Sequence, residues 1–170
     1  MTIIPELNGT YPWWCWGAVD FVAERIQSDW RVFEWGSGGS TLWFGQRAGS
    51  VVTVEHDPNW CAKTRTELGQ YGIDNVLLVC EDYLPVYACE IYDYDPFDLV
   101  SVDGRSRCHC LQQSPDKVKP GGYLVLDNSE RAEYQDAMRI LAGWERHDFN
   151  KPDGEPGYRE WRTTIWRKPE

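Results

Sequence analysis

The stretch Val32-Phe33-Glu34-Trp35-Gly36-Ser37-Gly38-Gly39-Ser40-Thr41 decides how this chain folds. An apolar run carries a carboxylate, a tight glycine turn follows, and a helix begins at two hydroxyl residues. Ser40 and Thr41 suit the helix start, and Leu42 and Trp43 give it an apolar face. Glycine is needed where a side chain would hold the backbone away from a ligand. Open amides at a helix start attract an anionic group, such as a carboxylate or phosphate. A strand, turn and helix of this kind open the nucleotide-binding α/β folds, and ordinary strand-to-helix turns share the glycines.

The same alternation continues downstream. Residues 51–54 form a second apolar strand ending at Glu55, and Asp57-Pro58 begins a helix with proline in its first turn. Gly72 closes that helix. Residues 75–80 are a third strand, ending at Glu81-Asp82, and residues 83–96 are aromatic, acidic and without clear period. Residues 97–102 are a fourth strand, ending at Asp103-Gly104. A helix is expected over 105–118, broken near Pro115. Lys119-Pro120-Gly121-Gly122 is a turn, 123–126 a fifth strand ending at Asp127-Asn128, and Ser129 the cap of a helix over 130–141. Residues 144–149 and 161–166 are two more strands, joined by a polar loop over 150–157 as an antiparallel hairpin. Upstream, 1–12 is an irregular lead-in. Trp14, Ala18, Phe21, Val22 and Ile26 give 13–28 a helical period. The neighbouring Trp13, Trp14 and Trp16 either pack that helix on the sheet or stack on a ligand.

Five apolar strands alternating with helices predict an α/β fold: a three-layer, mainly parallel twisted sheet with a C-terminal antiparallel strand pair. The 170 residues predict a single domain over 1–170, long enough to bury a sizeable core. A net charge of -10 opposes binding to duplex nucleic acid, which takes a basic surface. No apolar run is long enough to cross a bilayer, so no membrane partner is expected. Residues 1–11 lack a basic segment followed by an apolar core; no signal peptide and a cytoplasmic location are expected. The six cysteines, at 15, 61, 80, 89, 108 and 110, match no zinc-site spacing and read as buried or idle thiols. Oligomeric state is not legible at this level.

Each of the five parallel strands carries or ends in a carboxylate: Glu34, Glu55, Glu81 with Asp82, Asp103, and Asp127. Ligands of open α/β sheets sit beyond the carboxyl ends of the strands, where these acids gather. Glu55 stands about 20 residues beyond the glycine turn, the spacing of an acid that accepts from a ribose diol. Together these motifs resemble the class I S-adenosylmethionine-dependent methyltransferases over nearly the whole chain. Glu34-Trp35-Gly36-Ser37-Gly38-Gly39-Ser40-Thr41 is similar to that family's first motif. Val54-Glu55-His56-Asp57 is similar to its ribose strand, Glu81-Asp82 to its adenine-side acids, and residues 97–104 to its fourth motif. A dinucleotide fingerprint would instead place glycine at Thr41.

The resemblance implies S-adenosyl-L-methionine as cofactor and a Rossmann-like fold. It places the methionine carboxylate on the amides around Gly38, Gly39, Ser40 and Thr41, with Gly36 and Ser37 in the same cofactor turn, and the ammonium near Glu34, directly or through water. Glu55 would take the ribose, with His56, Glu81 and Asp82 around the adenine. Asp103 touches the cofactor and is the general-base candidate for a hydroxyl acceptor. Asp103, Asp127 and Asn128 also match the metal ligands of catechol O-methyltransferase-like enzymes, a set suited to Mg²⁺. The lysine of that group is absent near Arg105-Ser106, and the competing expectation is a helix cap at Asp127-Asn128. Arg105, Arg107 and Arg131 form a cationic rim, so Arg105, Asp127, Asn128 and Arg131 would meet the acceptor. The expected partner is a small molecule, hydroxyl-bearing or anionic. The alternative is a catalytically inactive methyltransferase-like module partnering another subunit.

Overall fold

A computed structural model of the chain describes residues 10–151 and 161–170. The lead-in over 1–9 and most of the loop after residue 151 lie outside the described residues. The strands are β1 (Arg31–Trp35), β2 (Ser50–Glu55), β3 (Val76–Cys80), β4 (Phe97–Val102), β5 (Val118–Asp127), β6 (Glu145–Asn150) and β7 (Arg162–Arg167). They form one sheet in the order β3-β2-β1-β4-β5-β7-β6. The first five pair in parallel, and β7 inserts antiparallel between β5 and β6.

The central strands are apolar on both faces because helices cover both. Alternate residues go to opposite sides. From β1, Phe33 and Trp35 enter one core with Tyr87, Val100, Leu111 and Leu126. Val32 enters the other with Trp14, Phe44, Leu99, Val125 and Ile165. Each fully buried side chain of this size contributes about 1.5–3 kcal/mol.

The helices are α1 (Trp16–Ala23), α2 (Gly39–Gly45), α3 (Pro58–Gln70), α4 (Leu84–Cys89), α5 (Arg107–Gln113) and α6 (Gln135–Met138). The aperiodic stretch 83–96 holds α4 and a 3₁₀ turn at Glu90–Asp93. Its anchor is tertiary: the Trp35 indole N–H donates to the Tyr87 carbonyl at 2.8 Å. The helix expected over 130–141 is instead one turn, α6, flanked by 3₁₀ turns at Ala132–Tyr134 and Arg139–Leu141. Ser129 does not cap it. Its hydroxyl bonds to Thr164 Oγ1 at 2.6 Å, and its amide donates to the Arg162 carbonyl. A bond to β7 has outcompeted the local cap. The glycine turn at 119–122 is likewise absorbed into β5. Gly121 takes φ +72° there, and amides of 121 and 168 exchange bonds with carbonyls across to the end of the chain.

Two of the six cysteines are not idle. Cys61 on α3 and Cys80 at the end of β3 are joined as a disulfide, with Cα atoms 6.1 Å apart. The Cys108 and Cys110 thiols are free, and burial pushes both upward from the usual thiol range. No helix among the described residues is long and apolar enough to cross a membrane.

Candidate active site

The glycine turn after β1 is locked against the loop after β4. Gly36 has φ +96°, and a Cβ there would lie 2.8 Å from Gly104 Cα and 2.9 Å from Gly104 N. The two glycines are therefore in backbone contact, and packing demands Gly36 as much as any ligand does. Two residues on, Gly38 N–H donates to Thr41 Oγ1 at 2.9 Å, and Thr41 N–H returns to the Gly38 carbonyl at 3.1 Å. The amides of Gly39 and Ser40 have no backbone partner among the described residues.

Glu34 does not face the cleft. It is fully buried beneath the start of α2, where Thr41 Oγ1 at 2.6 Å, Thr53 Oγ1 at 2.9 Å and the Ser40 hydroxyl all donate to it. Burial pushes its carboxyl up to about 7, against the opposing effect of those hydroxyls. The sequence placed Glu34 and Thr41 on the cofactor; the fold uses them under the turn, holding the hydroxyls that shape it.

Glu55 ends β2 at the floor of the cleft. Its Oε2 accepts from Ser37 N at 2.9 Å and Ser37 Oγ at 3.2 Å, while Oε1 accepts from Asp57 N at 2.9 Å. His56 Nδ1 lies 2.8 Å from Oε1, off the line of a hydrogen bond. Ser37 Oγ has a second partner in Thr64 Oγ1 at 3.0 Å, so it can leave the carboxylate when another hydroxyl arrives. Trp60, in the first turn of α3, donates its indole N–H to the Ser37 carbonyl at 2.5 Å and joins the cleft wall. Asp57 positions it by capping α3, accepting from Asn59 N and Trp60 N.

Asp103, Asp127 and Asn128 converge around a side chain. Arg107, the first residue of α5, sits between them with a side chain only 11% exposed. Asp103 pairs with Arg107 at 2.9 Å. Asp127 Oδ1 accepts from Trp161 Nε1 at 2.9 Å and Thr163 Oγ1 at 2.7 Å. Burial raises both carboxyls: Asp127 to about 6, and Asp103 well above the usual range with repulsion from Asp127 added. The Arg107 charge works against the rise at each. Ser106 and Asn128, on either side of Arg107, take positive φ of 49° and 54°, conformations that non-glycine residues hold only where surroundings impose them.

A cleft of about 1050 Å³ opens over these groups at the carboxyl ends of β1, β2, β4 and β5. Gly36, Ser37, Gly38, Gly39, Ser40, Glu55 and His56 line one side; Asp103, Arg105, Asp127, Asn128 and Arg131 line the other. Glu34, Thr41, Glu81 and Asp82 are not among its lining residues. Glu81 instead accepts from the Tyr83 amide at 2.9 Å, just before α4. Trp13, 72% exposed, and Tyr11 stand at the opposite rim. The arginine rim is not neutralised by Glu130, which accepts from the Arg162 amide. Arg131 reaches Asn128 Oδ1 at 2.9 Å, and the exposed Arg105 side chain has no ion-pair partner among the described residues. Two open amides at a helix start, a strand-two carboxylate with an exchangeable hydroxyl, and an aromatic wall fit an amino-acid nucleoside such as S-adenosylmethionine.

The fold is that of the class I, Rossmann-like S-adenosylmethionine-dependent methyltransferases, a mainly parallel seven-stranded sheet with an inserted antiparallel strand. No family model matches the chain. It is 29% identical over 91 residues to the probable cobalt-precorrin-6B C(15)-methyltransferase (decarboxylating) of Methanothermobacter thermautotrophicus, a match covering 54% of this chain and 47% of that protein. The match thus spans about half the length of that curated relative. Among solved structures, an rRNA methylase from Streptococcus thermophilus superposes with a TM-score of 0.72 at 16% identity, over 89% of this chain and 93% of its own. The O-methyltransferase TomG from Streptomyces achromogenes, solved in complex with S-adenosylmethionine, gives 0.68 at 19%, over 88% and 77%.

Proposed function

We propose that this protein is an S-adenosylmethionine-dependent methyltransferase acting on a small anionic or hydroxyl-bearing acceptor. The observation that carries the proposal is the two-sided cleft: turn amides and Glu55 on one wall, Arg105 and Arg131 on the other. At about 1050 Å³ it stands at the upper end of small-molecule sites and has room for a cofactor and an acceptor together. Bound S-adenosylmethionine supplies an electrophilic methyl group. The protein's part is to hold the acceptor in line with it and to take up a proton where the acceptor carries one. We assign that proton to Asp103, which lines the cleft and whose carboxyl is raised well above its usual range by burial. The rim arginines complement a carboxylate or phosphate on the acceptor.

Calorimetry with S-adenosylmethionine, S-adenosylhomocysteine and NAD tests the cofactor. Binding of the first two alone is the expected outcome, and binding of NAD alone would reject it. A methyl-transfer screen over polycarboxylate, phosphorylated and neutral hydroxylated compounds then tests the acceptor. Cofactor binding without turnover of any of them would favour the inactive module.

Glu55→Ala is expected to weaken S-adenosylmethionine binding by about 1–3 kcal/mol through lost charge-assisted bonds. It should also lower the melting temperature, because the Ser37 and Asp57 amides lose their acceptor. Glu55→Gln keeps one acceptor oxygen and is expected to fall between the two proteins in both measurements. A folded Glu55→Ala protein with wild-type affinity would remove Glu55 from the ribose role.

A further inference from the structure

We propose that Arg107 stands in for the divalent cation of this cleft, so that Asp103, Asp127 and Asn128 are organised by a guanidinium and not by Mg²⁺. The three residues are a plausible hard-cation set by type. Their geometry does not fit one, because Arg107 fills the space between them. Its Nε donates to the Gly104 carbonyl at 2.9 Å. Its Nη2 donates to the Asp103 carbonyl and to Asp103 Oδ1, both at 2.9 Å. Its Nη1 donates to the Asp127 carbonyl and, at 3.3 Å, to Asn128 Oδ1, and lies 3.9 Å from Asp127 Oδ2. A guanidinium has five N–H groups. Here all five are engaged, each on the segment after β4 or on the last residue of β5 and the one that follows it.

The consequence is a division of labour. A metal in this position offers vacant sites to an acceptor oxygen; a saturated guanidinium offers none. Arg107 is thus a positioning residue. It fixes the distance between two strand-end loops and keeps Asp103 and Asn128 turned inward. Contact with an anionic acceptor falls to Arg105 and Arg131, whose donors are not all engaged. This inference deepens the methyltransferase reading in its catalytic consequence, but its test does not depend on turnover.

The test is cation binding, measured by calorimetry with MgCl₂ and MnCl₂ on the wild-type protein, Arg107→Ala and Arg107→Met. Wild type is expected to show no saturable binding. The two variants, having lost the internal cation beside two buried carboxylates, are expected to bind Mg²⁺ or Mn²⁺ on the order of tenfold or more tighter. Adding Asn128→Ala to either variant should reduce that gain. Arg107→Met keeps the apolar stem where alanine fails to fold, and the wild-type titration decides the matter if neither variant folds. One Mg²⁺ per wild-type chain, lost in Asn128→Ala, would overturn the proposal. So would a folded variant that binds cations no better than wild type. S-adenosylmethionine titration of the wild type, run in parallel, separates failure of this proposal from failure of the methyltransferase reading.

Discussion

Gly36→Val is expected to abolish cofactor binding and to cost more than about 4 kcal/mol of stability. The valine Cβ would meet Gly104 Cα at 2.8 Å and the Asp103 carbonyl carbon at 3.0 Å, backbone atoms that no rotamer change can move aside. Its φ of +96° adds strain of its own for a β-branched residue. Relief requires the β1 and β4 loops to separate, and those loops carry both walls of the cleft. Gly69→Ala is the control. A Cβ at Gly69, near the end of α3, meets nothing within 4 Å, so the change should add about 0.4–1 kcal/mol and leave affinity unchanged. Thermal melts and calorimetry on the two variants give the comparison. A Gly36→Val protein that melts with wild type and binds normally would place the site elsewhere.

The second large effect is expected at Glu34. Glu34→Ala leaves three buried hydroxyls without their acceptor and a cavity beneath the turn, at a cost of roughly 3 kcal/mol or more. Glu34→Gln separates charge from shape. Its carboxyl, about 7 in the folded protein against 4.5 unfolded, is raised, so the folded state binds the extra proton across that interval. The contribution is fully present below about pH 4.5 and is lost as pH rises through about 7, by on the order of 3 kcal/mol. Asp127, raised from 3.8 to about 6, acts in the same direction over a lower window. Urea unfolding at a series of pH values should therefore show wild-type stability declining toward neutrality. In Glu34→Gln the decline should be shallower, with the parts contributed by Asp127 and Asp103 remaining. Identical pH profiles for the two proteins would mean that Glu34 is ionised throughout.

Much of the architecture was legible because it rests on local and periodic features. The apolar runs, the punctuating turns and the acids at the strand ends gave five parallel strands and a closing antiparallel pair, as found. Asp57 and Pro58 announced α3 because a cap and a first-turn proline act within their own segment. Elements failed where a distant partner competed. Ser129 gave up its expected helix for Thr164, and Lys119-Pro120-Gly121-Gly122 was drawn into β5 by the segment around Lys168. The Cys61–Cys80 pair was invisible for the same reason: it depends on how α3 lies over β3.

The site divides along that line. By itself the sequence determined which chemistry gathers at the carboxyl ends of the strands, because strand direction and residue type settle it. Only the tertiary structure decided which of those acids face the cleft. Glu34 and Glu55 look equivalent as strand carboxylates, yet one lies beneath α2 among three hydroxyls and the other lines the cleft floor. The same holds for Arg107, which reads as one of three rim arginines. Its five donors find their acceptors only when the loops after β4 and β5 are brought side by side by strand pairing. A residue's type can be read from the chain, but the partners that set its charge, exposure and role come from segments far away in it.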